Sequence, residues 1–167
     1  AEHAFLDFSD YGRRPARWLA LKLLPTKIGA IDITVLFFVL GILACWLLIF
    51  TENRMFGALL LPLKSILDAV DGELARLKKR PSYVGRYLDS ICDILINIGL
   101  FFVLFILSGH SLYWVFISFV CFQLQGTIYN YYYCVQRKAL QGDLTSRVDE
   151  SACPEPYPWD NVVFLKL

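Results

Sequence analysis

Four long apolar runs are separated by short polar breaks along this chain, read as Ile33 to Phe50, Met55 to Asp71, Leu88 to Leu107 and Leu112 to Val135. A helix of about 20 mostly apolar residues crosses the hydrocarbon core of a bilayer. The pattern therefore predicts an all-α integral membrane helical bundle with four spans. Ahead of the first run, "FSDYGRRPARWLALKLLP" mixes Arg13, Arg14, Arg17 and Lys22 with Trp18, Leu19, Leu21, Leu23 and Leu24. That mixture predicts an amphipathic helix lying in the membrane interface, leucines toward the acyl chains and arginines among the headgroups. A signal peptide is the competing reading, but the apolar part is short, is broken by Lys22 and lacks a small-residue cleavage site.

Composition agrees with the pattern. Hydrophobic residues make up 57% of the 167 and aromatic residues 16%, the mean hydropathy is +0.51, and the charged share of 19% is low for a soluble chain. Basic residues sort by loop: Arg13 to Lys27 precede the first span, Arg76 to Arg86 surround the second loop, and Arg137, Lys138 and Arg147 follow the fourth. The connections "TENR" and "SGHS" carry only Arg54. By the positive-inside bias the N-terminus and the second loop are expected in the cytoplasm. Because the charges are segregated by topology, the net charge of +1 points to no partner. The basic loop has little aromatic interleaving and lies where polybasic segments meet anionic lipid, so membrane lipids and not nucleic acid are the expected contacts. Cys45, Cys92, Cys121 and Cys134 fall in spans, and with Cys153 they form neither a C-x-x-C nor an even set. They read as small apolar fillers and not as a disulfide framework or zinc site.

Against this background the stretch "DAVDGELARLKKRPSYVGRYLDSICD" is unusual. Positions three and four apart share a helix face, so Asp68, Asp71, Gly72 and Ala75 line one side of the second helix and Gly85, Asp89, Asp93 and Asn97 one side of the third. The loop "LKKRPSYV", with Pro81 as its breaker, lets the two faces meet. Four carboxylates in one small volume of a membrane domain require cations or protons. An all-oxygen set favours hard ions such as Mg2+, Mn2+ or Ca2+, and two ions shared by four carboxylates suit phosphoryl chemistry. Bland readings exist beside the sharp one: solvated helix-end acids paired with Lys78 to Arg80, or, for Arg76, positive-inside anchoring. Lys64 is either a site residue or an i,i+4 counter-ion for Asp68. Pro62 is expected to kink its helix.

The spacing D-x2-D-G-x2-A-R-x8-G-x3-D-x3-D, carried here by Asp68, Asp71, Gly72, Ala75, Arg76, Gly85, Asp89 and Asp93, closely resembles the signature of the CDP-alcohol phosphotransferase family. Eight fixed positions at background frequencies make a chance match on the order of 1 in 10 billion per start. The resemblance implies transfer of a substituted phosphate from a CDP-linked alcohol, CDP-diacylglycerol first among them, to an acceptor hydroxyl with release of CMP, a step of phospholipid biosynthesis. It implies two divalent cations, Mg2+ or Mn2+, at Asp68, Asp71, Asp89 and Asp93, with Asp93 also the base for the acceptor proton. Asp68, Gly72, Ala75, Arg76 and Gly85 are implied for the CDP moiety. A homodimer in a bacterial or archaeal inner membrane, rather than the endoplasmic reticulum, is expected, with the site facing the cytoplasm. The other class of function left open is a small membrane cation-binding or transport protein, which leaves Gly72, Ala75, Arg76 and Gly85 without a role.

Lys64 and a polar stripe in the fourth span, Gln123, Thr127 and Asn130, followed by Arg137 and Lys138, are candidates for the acceptor alcohol. Interhelical hydrogen bonding is the plain alternative for the stripe. The expected organisation is a cytoplasmic N-terminus with its juxtamembrane helix over 1–30, a transmembrane catalytic core over 31–138, a cytoplasmic loop over 139–160 and the start of a further span over 161–167. Members of the family usually have six spans. With four spans and no initiator methionine, the sequence suggests a fragment or a chain whose last helices are supplied by a partner.

Overall fold

In the computed structural model, residues 12–80, 82–139 and 157–158 are described, and every regular element among them is an α-helix. The order is α1 (Arg13–Leu23), α2 (Ala30–Phe50), α3 (Met55–Leu77), α4 (Tyr83–Ser108) and α5 (Leu112–Ala139). The described residues fall into two compact units, 12–103 with 157–158, and 104–139. The first contains the aspartates. Pro81, Cys153, most of 139–160 and all of 161–167 lie outside the described residues, as do the side chains of Cys134, Arg137 and Lys138.

Among the described residues, three helices, Ala30–Phe50, Tyr83–Ser108 and Leu112–Tyr133, are long and apolar enough to cross a membrane. The second expected span, Met55 to Asp71, is present as the unbroken 23-residue helix α3, but its composition falls short because Lys64, Asp68, Asp71, Glu73 and Arg76 all lie on it. Charge on a membrane helix is costly unless it faces protein. Here Asp71 is buried and Lys64 nearly so.

Small residues bring the helices together, as expected where apolar packing against lipid gives no preference for protein neighbours. A side chain on Gly57 of α3 would meet Leu48 Cγ at 2.8 Å and the Ala44 carbonyl at 3.0 Å on α2. One on Gly41 would meet Ile96 Cδ1 of α4 at 2.5 Å, and one on Gly99 would lie 3.2 Å from Cys45 Sγ. Helix α2 is thus in close contact with both aspartate-bearing helices. Buried Cys45 and Cys92 act as the small apolar fillers read from the sequence, whereas Cys121 is exposed. One core cluster joins Phe37, Cys92 and Ile96; a second joins Ala16 and Ala20 of α1 to Ile33, Val70 and Leu74.

The second cluster changes the picture of α1. Its leucines are divided: Leu19 and Leu23 pack on the α3 cluster, while Leu21 and Trp18 share the exposed face with Arg14 and Arg17. The helix therefore docks on α3 as well as presenting an amphipathic exterior. After it, Lys78 of the α3 C-terminus donates to the carbonyls of Thr26 (2.8 Å) and Ile28 (2.6 Å), tying down the α1–α2 connection.

The turn between the aspartate helices is built by local chemistry. Lys79 takes φ 52°, the left-handed conformation usually given to glycine at a helix C-terminus. The Lys79 and Arg80 amides then close on the carbonyls of Arg76 and Ala75, both at 3.1 Å. On the far side, the Ser82 hydroxyl accepts the Gly85 amide at 3.0 Å and caps α4. This pair of caps sets where the faces of α3 and α4 meet.

Candidate active site

Asp68 and Asp71 project from α3 one turn apart, and Asp89 projects from α4. One carboxylate oxygen from each lies within 4.8 Å of the other two. Asp71 is 6% exposed, and its Oδ2 accepts from the Thr34 hydroxyl of α2 at 2.7 Å. Thr34 is itself buried and stands 3.1 Å from the Ala30 carbonyl, so one proton faces two acceptors. Asp89 Oδ1 is buried with no hydrogen-bond partner among the described residues. A buried, unpartnered carboxylate oxygen facing two further carboxylates is unfavourable without a cation or a proton. The donor set fits a hard divalent ion, since all three ligands are oxygens.

Asp93 is not one of these three. It lies one turn beyond Asp89 on α4, and its Oδ1 forms an ion pair with Lys64 of α3. The reading of Lys64 as a counter-ion placed by i,i+4 spacing names Asp68, whereas the observed partner is on the neighbouring helix. Lys64 Nζ also sits 4.8 Å from the centroid of the Phe37 ring, a cation–π contact from α2.

The remaining signature residues surround the carboxylates differently. Gly72 is exposed, and a side chain built on it meets nothing within 4 Å. Ala75 is half-buried. Arg76 is exposed and pairs with Glu73 Oε2, its Nη2 at 2.9 Å. Gly85 lies at the first turn of α4, where a Cβ would come within 3.5 Å of Ser82 and 3.8 Å of Ile31.

Gln123 and Asn130 are on α5, in the other unit, and Arg137 and Lys138 occupy its last turns. Thr127 donates to the Gln123 carbonyl at 2.8 Å within its own helix. The sequence reading passed over Thr34 and Ser82 and took Lys78 only as part of the basic cluster Lys78 to Arg80. A signal for Thr34 existed: it is a hydroxyl in the run "ITVLFFVLG", and a polar group inside an apolar membrane helix needs a partner. Which partner it has depends on the packing of α2 on α3.

Residues 28–152 match the family described as CDP-alcohol phosphatidyltransferase. A segment of 72 residues is 42% identical to the bifunctional IPC transferase and DIPP synthase of Thermococcus kodakarensis, covering 43% of this chain and 16% of that protein. The protein of the same name from Aquifex aeolicus is 39% identical over 62 residues, 37% of this chain and 14% of the relative. This chain thus matches only a small part of either relative's length.

Proposed function

Since this chain belongs to the CDP-alcohol phosphatidyltransferase family and is a membrane transferase, we propose that it moves the substituted phosphate of CDP-diacylglycerol to an acceptor alcohol, releasing CMP in phospholipid biosynthesis. The observation that carries the reading is the convergence of Asp68, Asp71 and Asp89, with Asp89 Oδ1 buried and unpartnered among the described residues. These residues would hold divalent cations, Mg2+ or Mn2+, two in the full site with Asp93 alongside. When bound, the ions supply charge neutralisation for the diphosphate and the departing CMP.

The chain's own groups do the rest. Thr34 orients Asp71 from behind. Gly72 leaves its side of α3 open, so a nucleotide reaches close to the backbone. Arg76 presents a guanidinium fork for phosphate or the cytosine edge. Gly85 and Ala75 complete the CDP face with little side-chain bulk. Asp93 accepts the proton of the acceptor hydroxyl as that oxygen bonds to phosphorus. Lys64 is the acceptor-alcohol candidate on the unit that carries the aspartates, and Gln123, Asn130, Arg137 and Lys138 are the candidates on α5. The site faces the cytoplasm of a bacterial or archaeal inner membrane, and the working form is a homodimer.

The names of the Thermococcus and Aquifex relatives favour a second reading, in which the chain carries out an IPC transferase or DIPP synthase step. One experiment tests the first reading: CMP release by the full-length detergent-solubilised protein with Mg2+ or Mn2+ and CDP-diacylglycerol, scanning glycerol phosphate, inositol phosphate, inositol and serine. Acceptor-dependent release that is lost in Asp93→Asn supports the first reading. Absence of release, with CDP-choline and CDP-ethanolamine also inert toward diacylglycerol, overturns it.

A further inference from the structure

We propose that Lys78 is a positioning residue: by gripping the backbone just ahead of α2 it fixes the register of α2 along α3, and so brings Thr34 onto Asp71. Its functional consequence rests on the reading of Asp71 as a metal ligand. The inference goes beyond the eight-residue signature, in which neither Lys78 nor Thr34 has a place.

Lys78 follows Asp71 by two helical turns and lies on the same side of that chain segment. The two residues hold α2 at levels about 10 Å apart. At one level the Lys78 ammonium donates to the carbonyls of Thr26 (2.8 Å) and Ile28 (2.6 Å). At the other, Asp71 accepts from the Thr34 hydroxyl at 2.7 Å. The backbone between these points is itself held. The Thr26 hydroxyl donates to the Leu23 carbonyl at 2.6 Å and accepts the Ile28 amide at 3.3 Å. The Asp32 carboxylate accepts the Gly29 amide at 2.7 Å where α2 begins. Just beyond, the Ala30 carbonyl stands 3.1 Å from the Thr34 hydroxyl. A displacement of the connection is therefore carried to Thr34 within about one turn of helix.

Apolar packing does not set such a register by itself. Contacts between apolar helix faces in lipid are non-directional, whereas hydrogen bonds select one alignment. Gly57 governs how closely α3 approaches α2 near Leu48, at the opposite end of both helices. It leaves the alignment at the aspartates to the polar contacts. A shift of α2 by one residue's rise, about 1.5 Å, is enough to break the bond from Thr34 to Asp71. Positive-inside anchoring is the competing reading of Lys78, and it treats all charges of the basic loop alike. The structure distinguishes them: Lys78 is half-buried against the connection, while Arg80 is exposed.

The test uses the full-length protein and two readouts, hydrogen–deuterium exchange of the segment 24–34 and Mn2+ binding followed by electron paramagnetic resonance. In Lys78→Met, exchange at the Ile28 and Gly29 amides is expected to speed up about tenfold as the connection opens locally. Mn2+ affinity is expected to fall about tenfold, the lower end of what an outer partner of a metal ligand contributes. Adding Thr34→Val should leave affinity no weaker than in Thr34→Val alone, because both changes break the same contact. Arg80→Met, which removes a charge from the same loop, should leave both readouts at wild type. Unchanged exchange or unchanged Mn2+ affinity in Lys78→Met overturns the proposal, as do losses that multiply in the double variant or an equal loss in Arg80→Met. If Lys78→Met does not fold, Lys78→Gln, which removes the charge and shortens the reach, takes its place in the same comparison. A wild-type protein that binds no Mn2+ refutes the metal reading of Asp71, whereas the exchange comparison still decides whether Lys78 holds the start of α2.

Discussion

The hydroxyl of Thr34 on α2 lies 2.7 Å from Oδ2 of Asp71 on α3, and both side chains are buried. One helix thus orients a carboxylate carried by another. Thr34→Val keeps the shape and removes the donor. Divalent affinity is expected to fall about tenfold to a hundredfold, as for other outer partners of metal ligands, with Thr34→Ser close to wild type. Mn2+ titration of the purified variants checks this, and wild-type affinity in Thr34→Val would dismiss the orienting role.

Divalent ions should stabilise the fold as well as support turnover. With Asp68, Asp71 and Asp89 converging and one oxygen unpartnered among the described residues, the folded chain gains a ligand that the unfolded chain does not bind. At an ion concentration 100 times Kd the gain is about 2.7 kcal/mol. The midpoint of thermal unfolding in detergent is expected to rise with Mg2+ or Mn2+, and chelation to reverse it and abolish CMP release. Asp89→Asn should remove most of the metal-induced rise.

Two glycines of α3 should fail in opposite ways when changed to alanine. At Gly57 the new Cβ meets backbone atoms of α2 at 3.0 and 3.1 Å, which do not rotate aside, so α2 and α3 must separate. A loss of about 1–3 kcal/mol is expected. Gly72→Ala meets nothing within 4 Å and should leave the unfolding midpoint nearly unchanged. Its expected defect is a raised KM for the CDP substrate. Normal KM in Gly72→Ala would remove Gly72 from the nucleotide contact.

Lys79→Gly should stabilise the protein. Lys79 holds φ 52°, a conformation that costs a residue with a side chain about 1 kcal/mol and costs glycine little. Thermal unfolding that shifts upward by a few degrees bears this out. A downward shift would mean that the lysine makes a compensating interaction at the helix end.

The acceptor assignment of the α5 end is tested by Arg137→Ala. KM for the acceptor is expected to rise with KM for the CDP substrate unchanged. Equal effects on both, or none, would take Arg137 out of the acceptor site.

The chain's sequence by itself determined the membrane class, the all-helical architecture and which aspartates share a helix face, because each depends on local pattern. A run of some 20 apolar residues becomes a helix in lipid whatever its neighbours, and Asp68 and Asp71 share a face of α3 through helical periodicity alone. Only the tertiary structure decided how those groups are used. Periodicity places Asp93 with Asp89, yet its ion-pair partner is Lys64 on another helix. The leucines of α1 read as one lipid-facing stripe, yet Leu19 and Leu23 meet α3. Thr34 is a lone hydroxyl in an apolar run until α2 packs on α3 and brings Asp71 within 2.7 Å. In each case the deciding partner is far away in sequence, 29 residues for Lys64 and Asp93 and 37 for Thr34 and Asp71. Period and spacing describe which face of a helix a residue occupies, and the packing of helices selects what that face meets.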